Sequence, residues 1–188
     1  MVFSSPEFLL LFLPLSIAFF YLLRRGGHMR LSIAALFLFS LVYYAWWRPI
    51  NIYIILVSIG ANYLLGQKVS AAPHKKPWLV LGLAANLLSL GWFKYTDFAI
   101  GTVNTLTGTQ IPLLGIILPI GISFFTFQQL AYLVDIYSGK HDAKGENFLD
   151  YCCFVCFFPQ LVAGPIVHHA EMMPQFAANK GAVDWSNI

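Results

Sequence analysis

Apolar residues fall in long blocks along this chain, and short polar stretches separate them. The blocks run from 8 to 23, 31 to 47, 50 to 65, 78 to 93 and roughly 113 to 134. Most are slightly shorter than the ~20 residues an α-helix needs to cross a hydrocarbon core. Apolarity on all sides of a block predicts a helix enclosed by lipid or by other helices. A sixth block, 148–167, is interrupted by Pro159, Gly164 and Pro165. Its uninterrupted part, Phe148 to Phe158, is too short to cross as a helix. Non-helical backbone survives at membrane depth only where protein or a water-filled cavity covers it. The segment FPQLVAGPI, 158–166, is therefore expected to be a broken or re-entrant element held against the bundle, with Gly164 and Pro165 setting a turn. The predicted fold is all-α: a polytopic transmembrane bundle of about five spans plus this broken sixth element. It forms a single membrane domain over 1–188 that closes with an amphipathic stretch, His168 to Phe176, and a polar tail, 177–188.

The first block is not expected to be a cleaved leader. MVFSSPE has no positive n-region and contains Glu7, Arg24 and Arg25 follow the block, and no small-residue cleavage site comes after it. Pro14 is expected to kink this span. Tyr43, Tyr44, Trp46 and Trp47 close the second block with aromatics suited to the headgroup level, and Arg48–Pro49 makes a turn. Asn62 lies inside the third block, where a bond to a neighbouring helix is its expected use, and Asn86 is central in the fourth. Residues 94–112, rich in Thr, Gly and Asn, are expected to form a loop.

Composition narrows the class. The chain is 59% hydrophobic and 10% charged, with a mean hydropathy of +0.70. A soluble domain carries about 25% charged residues, so a water-soluble globule is excluded. The formal charge of +3 is too small to argue for nucleic acid, and a lipid bilayer is the expected environment. Placing the N-terminus outside puts Arg24, Arg25, Arg30, Lys68, Lys75, Lys76, Lys140 and Lys144 in inner loops and only Arg48 and Lys94 in outer ones. This positive-inside bias predicts an N-terminus on the outside and a cytoplasmic 140–146 loop.

The chemistry concentrates in LPIGISFFTFQQLAYLVDIY, 118–137. On a helix Gly121, Phe125, Gln128, Tyr132 and Asp135 follow steps of four, three, four and three, and so share one face. Polar groups grouped in this way inside a span usually face a bundle interior or a cavity. Gln128, Tyr132 and Asp135 are candidates for lining such a cavity. The plainer use for them is bonding to neighbouring helices, with Asp135 at the interface near Lys140. Gln160, just after the Pro159 break, is a further candidate, either as a lining residue or as a partner for freed backbone groups. Cys152, Cys153 and Cys156 match no disulfide framework and are expected to be packed thiols. His168, His169 and Glu171 are expected to form an interfacial polar cluster. Adjacent helical histidines point about 100° apart, which argues against a shared metal ion, and no metal site is expected.

Five passages carry a family likeness: MVFSSPEFLLLFLP at the start, YYAWWRP at 43–49, GWFKYTDF at 91–98, LPIGISFFTFQQLAYLVDIYSG from 118, and FPQLVAGPIVHHAEMMPQF from 158. Together they resemble the membrane-bound O-acyltransferase family, within it the bacterial alginate O-acetyltransferase branch, in the family's order through nearly the whole chain. The resemblance implies a multi-span inner-membrane acyltransferase with no tightly bound cofactor. Its acyl donor would be a cytoplasmic thioester, acetyl-CoA or an acyl carrier protein. The acceptor would be an exopolysaccharide hydroxyl, and periplasmic polysaccharide-acetylation proteins would be partners.

The resemblance also implies a catalytic histidine in an apolar, tunnel-lining segment of the second half of a longer chain. Here His28, His74 and His141 lie in charged loops, and His168 and His169 follow the Gly-Pro break. No catalytic residue is therefore assigned to this chain. It is expected to be an N-terminal portion that is inactive alone and forms part of the family's fold. The alternatives are a small transporter or channel that uses the broken segment as a pore element, and a non-catalytic scaffold fragment.

Overall fold

The computed structural model describes residues 4–163. The chain in this range is helical throughout its regular structure. A π-helical turn, Phe8–Phe12, runs directly into α1, Leu13–Arg25. The Leu13 N–H donates to the Phe8 carbonyl, five residues back. Pro14 follows, and with no N–H of its own it cannot close an ordinary α-helical bond there. The expected irregularity at Pro14 is thus a widened turn on its N-terminal side. Gly26 and Gly27 reverse the chain, Gly27 with φ +77°, and α2 covers Met29–Trp47. Arg48 is extended, as a residue before proline tends to be, and α3, Ile50–Ala71, starts after Pro49.

The helix α4, Lys75–Thr107, is longer than expected. Residues 94–107 continue the fourth block as helix and do not form a loop. Thr96, Thr102, Thr105 and Thr107 each donate a hydroxyl to the carbonyl four residues back, so the polar side chains that suggested a loop are satisfied within the helix. Gly108, at φ +70°, ends it and donates its N–H to the Asn104 carbonyl. At 33 residues the helix is about 50 Å long, and Lys94 lies inside it rather than in an outer loop.

The chain then returns along α4 as an irregular strap. Asp97 accepts the N–H groups of Leu114 and Ile116, each at 2.8 Å. Asn104 exchanges two hydrogen bonds with Ile111. The fifth helix therefore begins later than the apolar block suggests: α5 is Ile122–Tyr137, entered through Gly121 at φ +70°.

A loop, 138–147, leads to α6, Phe148–Cys156, capped by Asn147, whose side chain accepts the Leu149 N–H. The break expected at Pro159 occurs at Phe157, and Pro159 sits in the first turn of α7, Phe158–Ala163, where its missing N–H costs nothing. Gly164, Pro165 and the rest of the 158–166 element lie outside the described residues, as do the 168–176 stretch and the tail.

Among the described residues, three helices are long and apolar enough to cross a membrane by length and composition: 8–25, 29–46 and 50–71. Shorter apolar helices pack with them, and the whole is a polytopic helical membrane bundle. Its centre is α5, which packs on α3 and α4 along one side and on α6 along another. Ile55, Ile59, Tyr132, Leu133, Ile136, Tyr151 and Cys152 meet in the main core. A second cluster, Phe8, Phe12, Tyr43 and Phe158, ties the first helix to α2 and α7.

Candidate functional site

The predicted face of α5 points into the bundle. Phe125, Gln128, Tyr132 and Asp135 are all buried. Gln128 Nε2 donates to the carbonyl of Phe154 at 3.0 Å. In an unbroken α6 that carbonyl would accept from Phe158, whose N–H donates to Ser40 Oγ instead. The backbone group that the helix break exposes is thus answered by Gln128, a partner that sequence reasoning had sought in Gln160. Gln160 is half-buried in α7, and its N–H donates to the Phe157 carbonyl.

Tyr132 is the pivot of a polar cluster at the C-terminal end of α5. Its hydroxyl donates to Glu146 Oε2 at 2.6 Å. Its ring lies 4.6 Å from the Tyr151 ring and 5.8 Å from that of His141. His141 Nε2 is 3.6 Å from Glu146 Oε1, and the Glu146 side chain is only 5% exposed. The approach of α3 to this point depends on Gly66, since a Cβ there would sit 2.7 Å from the Tyr132 hydroxyl.

A stripe on α3 clasps the loop from the other side. Tyr63, Gln67 and Ser70 follow helical steps of four and three and bond in turn to the Glu146 carbonyl at 2.8 Å, the Ala143 carbonyl at 2.6 Å and the Asp142 carboxylate. Together the Ser70 hydroxyl and the Lys144 N–H hold the Asp142 carboxyl below its usual range. The Asp135 carbonyl accepts the N–H groups of Lys140 and His141, and its carboxylate lies 3.9 Å from Lys140 Nζ. The loop is therefore a fixed cover over the ends of α3 and α5.

Of the sequence candidates, Gln128, Tyr132 and Asp135 share the buried face of α5, while Gln160 lies in α7, beyond the α6 break. His168, His169 and Glu171 lie outside the described residues. Glu146, His141, Tyr63 and Gln67 were missed, because they sit in a charged loop and on an otherwise apolar helix. The four-then-three spacing of Tyr63, Gln67 and Ser70 was the available signal. Asn62 does bond to a neighbouring helix, as expected: it exchanges hydrogen bonds of 2.6 and 3.2 Å with Asn86 of α4. Cys152, Cys153 and Cys156 are buried free thiols. Among the described residues no group of three His, Cys, Asp or Glu is placed to hold a metal ion.

No family model and no solved structure matches the chain. It is 38% identical over 216 residues to the peptidoglycan O-acetyltransferase of Helicobacter pylori, covering 100% of this chain and 41% of that protein. It is 38% identical over 194 residues to the probable alginate O-acetylase AlgI of Pseudomonas aeruginosa, covering 98% and 36%. The corresponding AlgI of Pseudomonas syringae is 38% identical over 185 residues, covering 94% and 35%. The chain thus spans well under half the length of these relatives.

Proposed function

The chain belongs to the membrane-bound O-acyltransferase family, and on that premise we propose that it contributes the wall of an acyl path in polysaccharide O-acetylation. In this reaction the acyl carbon–sulfur bond of a cytoplasmic thioester, acetyl-CoA or acyl carrier protein, breaks and a carbon–oxygen bond to a sugar hydroxyl forms. The thiol leaves on the cytoplasmic side, and the hydroxyl proton passes to a general base. One relative is named for peptidoglycan and two for alginate, which supports a polysaccharide acceptor.

The observation that carries this reading is the buried polar face of α5, where Gln128, Tyr132 and Asp135 share one side of a mainly apolar helix. Polar groups are kept at such depth when they face a bundle interior or a pathway. In this assignment the 138–147 loop faces the cytoplasm of a bacterial inner membrane and the N-terminus faces the periplasm. Asp135 and Lys140 then stand at the entrance where the thioester arrives. Tyr132, fixed by Glu146, forms the next layer, and Gln128 with Gln160 lines the path around the α6 break. These residues bind and orient. A general base must be fixed within hydrogen-bond reach of the hydroxyl in a site that limits water. His28, His74 and His141 lie in loops, and no proton-transfer role is assigned to them. Periplasmic acetylation proteins would take the group onward.

Deleting the gene tests this. Base-labile acetate released from the cell's polysaccharide should fall and return on complementation. Unchanged acetate in a strain without a related gene would overturn the proposal.

A further inference from the structure

A second polar layer lies deeper in the bundle than the Tyr132 cluster and is built only of uncharged groups. Ser58 and Asn62 come from α3, Asn86 from α4 and Gln129 from α5. Asn62 is twelve residues into the 22-residue α3, about 18 Å along it, and so near its midpoint.

The bonding in this layer follows from two carbonyls. Asn62 Nδ2 lies 3.0 Å from the Ser58 carbonyl, and Asn86 Nδ2 lies 2.8 Å from the Gly82 carbonyl. A carbonyl can only accept, so both amides must turn their nitrogens there. Asn62 Nδ2 also faces Gln129, which must answer with its oxygen, and the Ser58 hydroxyl donates to that same oxygen at 2.9 Å. Gln129 Nε2 is then left without a partner among the described residues, on a side chain with 0% exposure. Two donor hydrogens with no acceptor in an apolar interior carry a large desolvation cost.

Ser58, Asn62 and Asn86 also form the polar floor of a groove of about 440 Å³ between α3 and α4, walled by Tyr53, Val57 and Phe93 and open beside Ala61. Ser89 lines it too. The hydroxyls of Ser16, Ser32 and Ser40 donate to carbonyls three or four residues back, whereas Ser89 makes no hydrogen bond to the described residues. The groove thus holds one unused donor, the Ser89 hydroxyl, with a second, Gln129 Nε2, in the layer behind it, and no Asp, Glu, Lys, Arg or His lines the groove. A suitable ligand is uncharged, apolar along most of its length, and presents an acceptor without a donor of its own at that point. An ester carbonyl on an acyl chain meets all three conditions. A phosphate or carboxylate would find no counter-charge. Val57, 71% exposed, and Tyr53, 69% exposed, stand at the groove's outer edge, so entry is lateral, from the bilayer.

We propose that the α3–α4 groove is a binding site for an uncharged acyl ester of the surrounding bilayer, of the monoacylglycerol type, with its carbonyl accepting from Ser89 beside the Asn62–Asn86–Gln129 layer. The site is separate from the Tyr132 cluster and does not depend on the acyl-path reading.

The test is photo-crosslinking of the purified full chain in micelles with monoolein carrying a diazirine on its acyl chain, followed by peptide mapping. Label should concentrate on residues 53–65 and 85–93 and be competed by unmodified monoolein but not by octadecane at the same mole fraction. Ala61→Trp, which fills the groove, should abolish the concentrated label. Ser89→Ala, at an exposed position that leaves the fold intact, should lower it by about fivefold, the factor one uncharged hydrogen bond supplies. Label spread evenly over the exposed helices, equal competition by octadecane, or labelling unchanged in Ser89→Ala would overturn the proposal. Cross-links between two chains through the groove would make the occupant a second copy and also overturn it.

Discussion

Replacing Tyr132 by Phe isolates the contact that fixes the 138–147 loop. The ring is retained, and with it the packing on Tyr151 at 4.6 Å and on His141 at 5.8 Å. Only the hydroxyl that donates to Glu146 Oε2 at 2.6 Å is lost. That side chain is 5% exposed, so water can replace little of the missing bond. A hydrogen bond to a charged group is worth about 1.5–3 kcal/mol, which raises the opening equilibrium of the loop by roughly 10- to 150-fold. Hydrogen exchange of the Lys140 and His141 amides, which donate to the Asp135 carbonyl, reads this opening directly. A double-mutant cycle with Glu146→Gln supplies the control, and a coupling above about 1 kcal/mol is expected for groups in contact. Protection unchanged in Tyr132→Phe, or strictly additive single effects, would refute the claim that this pair holds the loop.

Four further outcomes test other parts of the account. Gly66→Ala places a Cβ 2.7 Å from the Tyr132 hydroxyl and should destabilise by about 1–3 kcal/mol through overpacking. Gly60→Ala, with nothing within 4 Å of its Cβ, should be neutral or stabilise by up to about 1 kcal/mol in unfolding titrations. Asp97→Ala removes the acceptor for Leu114 and Ile116, so protease sensitivity should rise within 109–121 while exchange in α5 stays unchanged; equal rises in both would break the link. A reporter fused at Lys75 should be cytoplasmic, and a periplasmic signal there would reverse the proposed orientation.

Much of the architecture was legible because burial in lipid imposes a simple pattern. Blocks of apolar residues marked the helices, and the steps from Phe125 to Asp135 identified the buried face of α5. The errors came where side chains satisfy themselves locally. The threonines of 94–107 looked like loop residues, yet each of the four that back-bond does so to its own helix. Leu113 to Leu118 looked like the start of a span, but this segment is not helical, and Asp97 holds it by accepting the Leu114 and Ile116 N–H groups, a constraint set from seventeen residues away. Glu146 was unreadable for a related reason. Nothing in a charged loop announces that a tyrosine fourteen positions earlier will draw it into the interior.

The most direct measurement of the central claim is the acetate content of the polysaccharide in a strain lacking the gene, complemented with wild type or with Asp135→Asn at matched membrane abundance. Asp135 stands at the end of the α5 wall, and its side chain is 11% exposed, so the exchange alters the charge at the proposed entrance and leaves the core packing in place. Restored acetate with wild type and a fall of about tenfold with Asp135→Asn is the predicted result, the factor given by losing one charge-assisted contact of about 1.5 kcal/mol. Full acetylation by Asp135→Asn would contradict the claim that this face of α5 lines the acyl path.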